Sequence, residues 1–388
     1  MLALRLTRGT HPLVLMRRLL VAAASAGVGF LLLCTLGYAS SHPAQSTGSV
    51  LRLLWCLVPL AATVQFAVAV ARTDPGTRPR PGLSAIGLGP VRLSVLAAVS
   101  TAVSTTLGSM VALLLFLHLR GDLTGLPFDG GAAELLGAGA PLPLAAALTL
   151  LALVPVASAL ATARALRSRP PAPSSDASGA AGEAGPSGAP SGLPWGVALT
   201  AAGLAVEAYA SRGAPGSPFP LPGRLDATPA GVLAGWTLTA IGLAMAGPGL
   251  TYLCGQLLQT ARPGAVRLLA GRVLMDEARR IGRPIGVVCA VLSGVLAAAA
   301  LYGTGPRPFG PLTALGAVLV LGCTTATLLT SALEAKQARV QTADALLRMG
   351  APASALRSAT ALRAGALLAV FAPLTWAVAQ LAALPLTA

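Results

Sequence analysis

Apolar runs of about 20 residues recur along the whole chain, each the length that carries an α-helix across the hydrocarbon core of a bilayer. Nine are read, at roughly 17–39, 52–71, 92–118, 142–163, 193–211, 230–258, 285–303, 311–333 and 359–384. The expected fold is all-α, a polytopic membrane protein with about nine transmembrane helices. Composition agrees: 55% of residues are hydrophobic and 10% charged, where a soluble domain carries about a quarter charged.

The 27 Lys and Arg outnumber the 12 Asp and Glu, giving a net charge of +15. In a soluble protein such an excess would point to nucleic acid. Here the basic residues sit in short segments between apolar runs, without the interleaved aromatics that stack bases. The preference of cytoplasmic loops for Lys and Arg accounts for them instead. With the N-terminus in the cytoplasm, segments 1–18, 72–92, 164–192, 259–284 and 334–363 hold 22 of the 27, leaving Arg52, Arg120, Arg212, Arg224 and Arg307 on the other side. An odd number of crossings then places the C-terminus outside. Lys336 is the only lysine and Asn is absent, the bias of a GC-rich bacterial genome, so the expected location is a bacterial cell membrane. The first run has the basic flank of a signal peptide, but its length and the eight runs after it favour a retained span.

Residues 170–192, PPAPSSDASGAAGEAGPSGAPSG, carry too little apolar surface to fold and read as a cytoplasmic linker. The chain thereby divides into a first repeat at 1–165, a linker at 166–192, a connecting helix pair at 193–258 and a second repeat at 259–388. A shift of 263 positions aligns Leu83 with Leu346, Ile86 with Met349, Gly87 with Gly350 and Leu93 with Leu356, and a shift of 264 aligns Tyr38 with Tyr302. Both opening spans run from inside to outside, so the repeats are parallel, unlike the inverted repeats of many secondary transporters.

No catalytic site is legible. The chain contains no GxxxxGK[ST] phosphate loop, so any ATP hydrolysis belongs to a separate subunit. His11, His42 and His118 are scattered, and Cys34, Cys56, Cys254, Cys289 and Cys323 lie inside spans without CxxC spacing, which fits packing better than metal or disulfide chemistry. No cofactor or metal is expected. Glu207 is the only acid inside a span; an ionised carboxylate at mid-membrane costs ~2.5–3.5 kcal/mol on insertion scales, which makes it a candidate intramembrane polar site. The plainer reading pairs it with Arg212 or with interfacial water. Gln65, Gln256, Gln259 and Gln380 fit interhelical hydrogen bonds, and Trp55, Trp195, Trp236 and Trp376 fit spans and interfaces equally.

Residues 334–358, EAKQARVQTADALLRMGAPASALRS, are too polar to be embedded. Leu346, Leu347 and Met349 followed by Gly350, Ala351 and Pro352 predict a short helix with a glycine stop, after which Ala353 to Arg357 restarts a helix into the last span. The bland alternative is an interfacial connector whose arginines meet lipid phosphates.

The run LLRMGAPASALR at 346–357 resembles the cytoplasmic segment of the FtsX-like (MacB-type) permeases of ABC transporters, in which charged residues precede a Leu-x-x-x-Gly-Ala turn. RLLAGRVLMDEARRIGRPIG at 267–286 resembles the Arg-rich amphipathic helix entering the first span of such a permease unit. AGPGL at 246–250 resembles the Gly-Pro motif near the end of the preceding span in duplicated members. The resemblance covers 230–388 well and 1–118 weakly. It implies a membrane subunit driven by a separate cytoplasmic ABC ATPase, with Leu346, Leu347, Met349, Gly350 and Arg357 forming the coupling elbow and Leu83, Ile86 and Gly87 a weaker copy. Membrane lipids are the other expected partner, a homodimer is a further candidate, and nucleic acid is not expected. Two features depart from the family: only residues 40–51 and 304–310 stand where many members insert a large extracellular domain, and a tenth span is missing. The competing readings are a secondary transporter, which needs several polar groups converging at the midplane, and a non-transporting membrane scaffold or sensor.

Overall fold

The computed structural model describes residues 12–74, 90–123, 130–134, 136–167, 190–212, 230–260, 264–302, 310–350 and 352–387. Leu83, Ile86 and Gly87, and most of the expected linker, lie outside them. The helices are α1 (Pro12–Ser41), α2 (Ser46–Thr73), α3 (Pro90–Arg120), α4 (Leu144–Arg167), α5 (Gly192–Arg212), α6 (Ala230–Thr260), α7 (Ala265–Tyr302), α8 (Pro311–Ala338), α9 (Val340–Arg348) and α10 (Ala353–Thr387). Among the described residues, all but α9 are long and apolar enough to cross a membrane, nine in number, and no strand is present. The chain is an all-α, multi-pass membrane protein. A helix satisfies its own backbone hydrogen bonds, which lipid cannot do, and so this is the form that runs of this length take. Pro59, Pro155, Pro248 and Pro284 sit inside helices. The Arg-rich stretch from Arg267 and the span after it are one helix of 38 residues that passes through Pro284.

Two compact units divide the chain: α1 to α4 with α8 as far as Thr327, and α5 to α7 with the rest of α8, α9 and α10. The pair at 193–258, expected as a connector, is α5 and α6, and it packs inside the second unit, α6 lying against α7. The reason is a run of glycines, described below, that the division by loops and charge does not register.

The first unit is held by interleaved side chains. Val28, Leu31, Leu32, Cys56, Leu60 and Val154 form one buried cluster, and Leu33, Cys34, Ala112, Phe116, Leu136, Ala147 and Leu151 another. Where α1 crosses α3, Gly108 lets the backbones meet: a Cβ there would overlap the carbonyl of Ala22 and lie 2.8 Å from the Ser25 Cβ. The Ser25 hydroxyl donates to the Thr105 carbonyl at 2.7 Å. Arg120, assigned to the outer side, is buried rather than solvated: its guanidinium donates to the carbonyls of Gly137 and Ala140, and its Nε stands 3.6 Å from Asp122. Residues 130–134 and 136–140 are thereby folded onto the ends of α1 and α3, with the Leu136 carbonyl close against Gly37.

In the second unit the contact is backbone on backbone. Gly235, Gly242 and Gly249 recur every seven residues on the α6 face that meets α5, where added Cβ atoms would collide with Gly203, Thr200 and Leu193. Gly247 and Gly255 face the other way, onto Gly282, Gly286 and Gly271 of α7. Small residues at such positions let membrane helices approach closely, so dispersion and short polar contacts replace the missing hydrophobic drive. The AGPGL motif lies at the centre: Ala246 and Gly249 touch Gly196 and Leu193 of α5, while Gly247 and Pro248 touch Gly282 of α7.

Each unit carries the same polar staple. As Ser25 binds Thr105, so the Ser293 hydroxyl on α7 lies 3.2 Å from the Thr375 carbonyl on α10, shared with the Cys289 carbonyl of its own helix at 2.7 Å, and both threonines turn their own hydroxyls back to the carbonyl four residues earlier. The two serines stand 268 residues apart and the two threonines 270, so the staples do not fall in the 263–264 register of the sequence shift. Interhelical bonds of this kind contribute about 0.6 kcal/mol each.

The charge asymmetry and the odd number of crossings make a directional prediction. A reporter fused to the N-terminus is expected to be active only in the cytoplasm, and one fused to the C-terminus only outside. Two cytoplasmic termini would remove one of the nine crossings.

Candidate functional site

Two places gather the residues singled out in the sequence. The first is the elbow. The helix α9 has nine residues, VQTADALLR, with Val340 and Leu347 one heptad apart on one face and both about half exposed. Its end is closed by glycine: the N–H of Met349 donates to the Ala345 carbonyl at 3.1 Å and that of Gly350 to Leu347 at 3.0 Å, while Gly350 takes φ +90. A glycine stop of this kind turns the chain out of the helix at no Cβ cost. The helix α10 then starts at Ala353, as expected. Leu346 is half-buried, Leu347 exposed, Met349 76% exposed and Arg357 exposed on the first turns of α10.

What anchors the elbow lies in residues that the motif comparison passed over. Arg339, the residue capping α9, donates to the carbonyl of Ala335 at 3.1 Å and meets the Glu277 carboxylate of α7 at 2.7 Å. One turn back on α8, Glu334 stands 3.8 Å from Arg280 of α7. The Arg-rich end of α7 and the start of the elbow are thus joined by two ion pairs whose carboxylates are largely buried. Sequence held a signal for this: an acid and a base alternate across the two segments, DEARR at 276–280 and EAKQAR at 334–339.

The second place is Glu207. It is fully buried in the seam between α5 and α6, with its Cβ 2.9 Å from where a Cβ on Gly235 would stand. Its Oε1 accepts the indole N–H of Trp236 at 2.5 Å, and its Oε2 is buried without a hydrogen-bond partner. The Thr239 hydroxyl, one turn along α6, is likewise buried and unpartnered. The side chain of Arg212, the partner expected from the sequence, lies outside the described residues. Trp236 is the partner shown, because the glycines bring the two backbones together here. Its choice was readable: Glu207 lies five residues before the end of α5 and Trp236 six after the start of α6, the same depth in an antiparallel pair.

Other sequence candidates resolve into packing. Gln259 reaches the sulfur of Met275 across α6 and α7 at 3.9 Å, and all five cysteines are buried, Cys323 against the Thr63 hydroxyl. Among the described residues, no three His, Cys, Asp or Glu side chains converge as metal ligands would. The fold and these places define a multi-pass helical membrane protein in which, among the described residues, the short amphipathic α9 lies outside the nine apolar helices. No protein family, curated protein or solved structure matches the chain.

Proposed function

We propose that this protein is the membrane permease subunit of an ABC-type transporter, coupling the motion of a separate cytoplasmic ATPase to rearrangement of its transmembrane helices. The observation that carries this reading is α9. It is a short amphipathic helix outside the spans, it presents Val340, Leu347 and Met349 unpartnered, and it is tied through Arg339 to Glu277 on a helix that continues into a span. A partner seated on that apolar face could pull α7 along with it, because the short Arg339–Glu277 ion pair, its carboxylate largely buried, joins the two. Helix-in-groove docking needs just such a face. Charge asymmetry supports an elbow on the side where ATP is found.

A secondary transporter is favoured by one observation, the buried Glu207. Among the described residues, Glu207 is not joined by the several converging polar groups such a site uses.

The test is purification of the tagged chain from its own membranes in mild detergent. An ABC ATPase, identified by its phosphate-loop sequence, is expected to copurify and to hydrolyse ATP in a vanadate-sensitive way. Recovery of the chain without any such ATPase, under conditions that preserve other ABC complexes of the same membrane, would overturn the reading.

A further inference from the structure

We propose that Glu207 is an exchangeable proton-binding site inside the membrane, occupied as a neutral carboxylic acid while the α5/α6 seam is closed. The proposal does not rest on an ATPase partner.

The argument is one of partners and space. An ionised carboxylate has about four acceptor positions and needs donors or a cation to fill them. Glu207 has one donor, the Trp236 indole, while its second oxygen is buried and unpartnered. No cation faces it from the described residues of the helices packed on it. The helix α6 contains no charged residue at all. On α10 the charges are Arg357 and Arg363, and on α7 they lie between Arg267 and Arg283, in both cases in the half that enters the membrane from the basic side. Glu207 lies near the opposite end of α5, which crosses in the same direction. The side chain of Arg212, like Arg224 and Asp226 of the connecting segment, lies outside the described residues. The seam is narrow: Gly203 and Gly235 bring the backbones so close that a methyl on either would overlap its neighbour, and Oε2 is buried.

A neutral acid fits what is there. Its carbonyl oxygen takes the indole N–H as Oε1 does, and Oε2 becomes the hydroxyl. Losing that proton inside the closed seam would leave a bare charge, so deprotonation must follow parting of α5 from α6, and it is the parted, still protonated acid that a reagent dissolved in the lipid reaches. The ligand is the proton, and the seam is the element it holds closed.

The experiment uses the whole chain in membranes and two carbodiimides, one that partitions into lipid and one that stays in water. The acid O–H adds across a C=N bond of the reagent: the proton goes to nitrogen, the carboxyl oxygen to the central carbon, and the O-acylisourea rearranges to an N-acylurea. The labelled peptide therefore gains the full reagent mass. Near pH 7 the lipid-soluble reagent is expected to label Glu207 at least tenfold more than the water-soluble one, as read by peptide mass spectrometry, and Glu207→Gln removes that label. Trp236→Phe is expected to keep it, because burial rather than the indole keeps the acid neutral. Preference for the water-soluble reagent, or no label on Glu207 from either, would overturn the proposal. The reading is made on the wild-type chain, so it survives a variant that fails to fold.

Discussion

Replacing Gly247 by leucine is expected to break up the second unit, and Gly282→Leu to do the same from the facing helix. A Cβ on Gly247 would overlap the Gly282 carbonyl and stand 3.2 Å from the Gly286 Cα; one on Gly282 would lie 2.5 Å from the Pro248 Cα. In both cases the obstacle is backbone, which cannot rotate aside as a side-chain tip can. Overpacking a tight interior costs about 1–3 kcal/mol, and the upper end is expected here because α6 and α7 must separate along the whole seam. Controls come from the same fold: Gly294 on α7 and Gly322 on α8 have open space around their Cβ positions. Leucine at either is expected to be neutral or mildly stabilising, since glycine costs about 1 kcal/mol relative to good helix formers. Thermal stability in detergent, followed by monodispersity on gel filtration, measures all four. A Gly247→Leu chain as stable as Gly294→Leu would show that the close seam is not what holds the unit.

Helix existence and the elbow were legible because each rests on a local pattern. Twenty apolar residues need no partner to be recognised, and Leu346 to Gly350 carries its own stop, so the predicted turn agrees with the Gly350 φ of +90. That residues 193–258 pack closely within the second unit was not legible, because loops and charge say where the chain leaves the membrane and nothing about which helices touch. The heptad of Gly235, Gly242 and Gly249 did carry that information. It was masked by a chain with 44 glycines, in which any spacing recurs. Glu207 stood out by charge alone, yet its partner depended on depth in an antiparallel pair, a comparison between two segments. Arg120 shows the same limit, since a loop folding back over a helix end has no signature in hydropathy.

Replacing Leu347 and Met349 together by aspartate is expected to reduce recovery of a cytoplasmic ATPase at least tenfold at equal membrane levels of the chain. Both side chains are exposed, at 44% and 76%, and the described residues do not cover them, so the change leaves the spans and their packing untouched. Two carboxylates on the face that a partner's groove must accept would have to be desolvated there, a cost of several kcal/mol without a matching cation. Gly350→Val tests the same surface by direction rather than chemistry. Nothing lies within 4 Å of its Cβ position, so the cost comes from φ +90 alone, a region that β-branched residues scarcely occupy. The valine is expected to straighten or redirect the turn between α9 and α10 and to weaken recovery by less than the double mutant. Arg339→Ala separates docking from transmission: it removes the link to Glu277 but none of the apolar face, so it should keep the ATPase bound while lowering its stimulation by the membrane subunit. Undiminished recovery with the Leu347/Met349 double mutant would return the elbow to an interfacial connector, whatever the other two variants do.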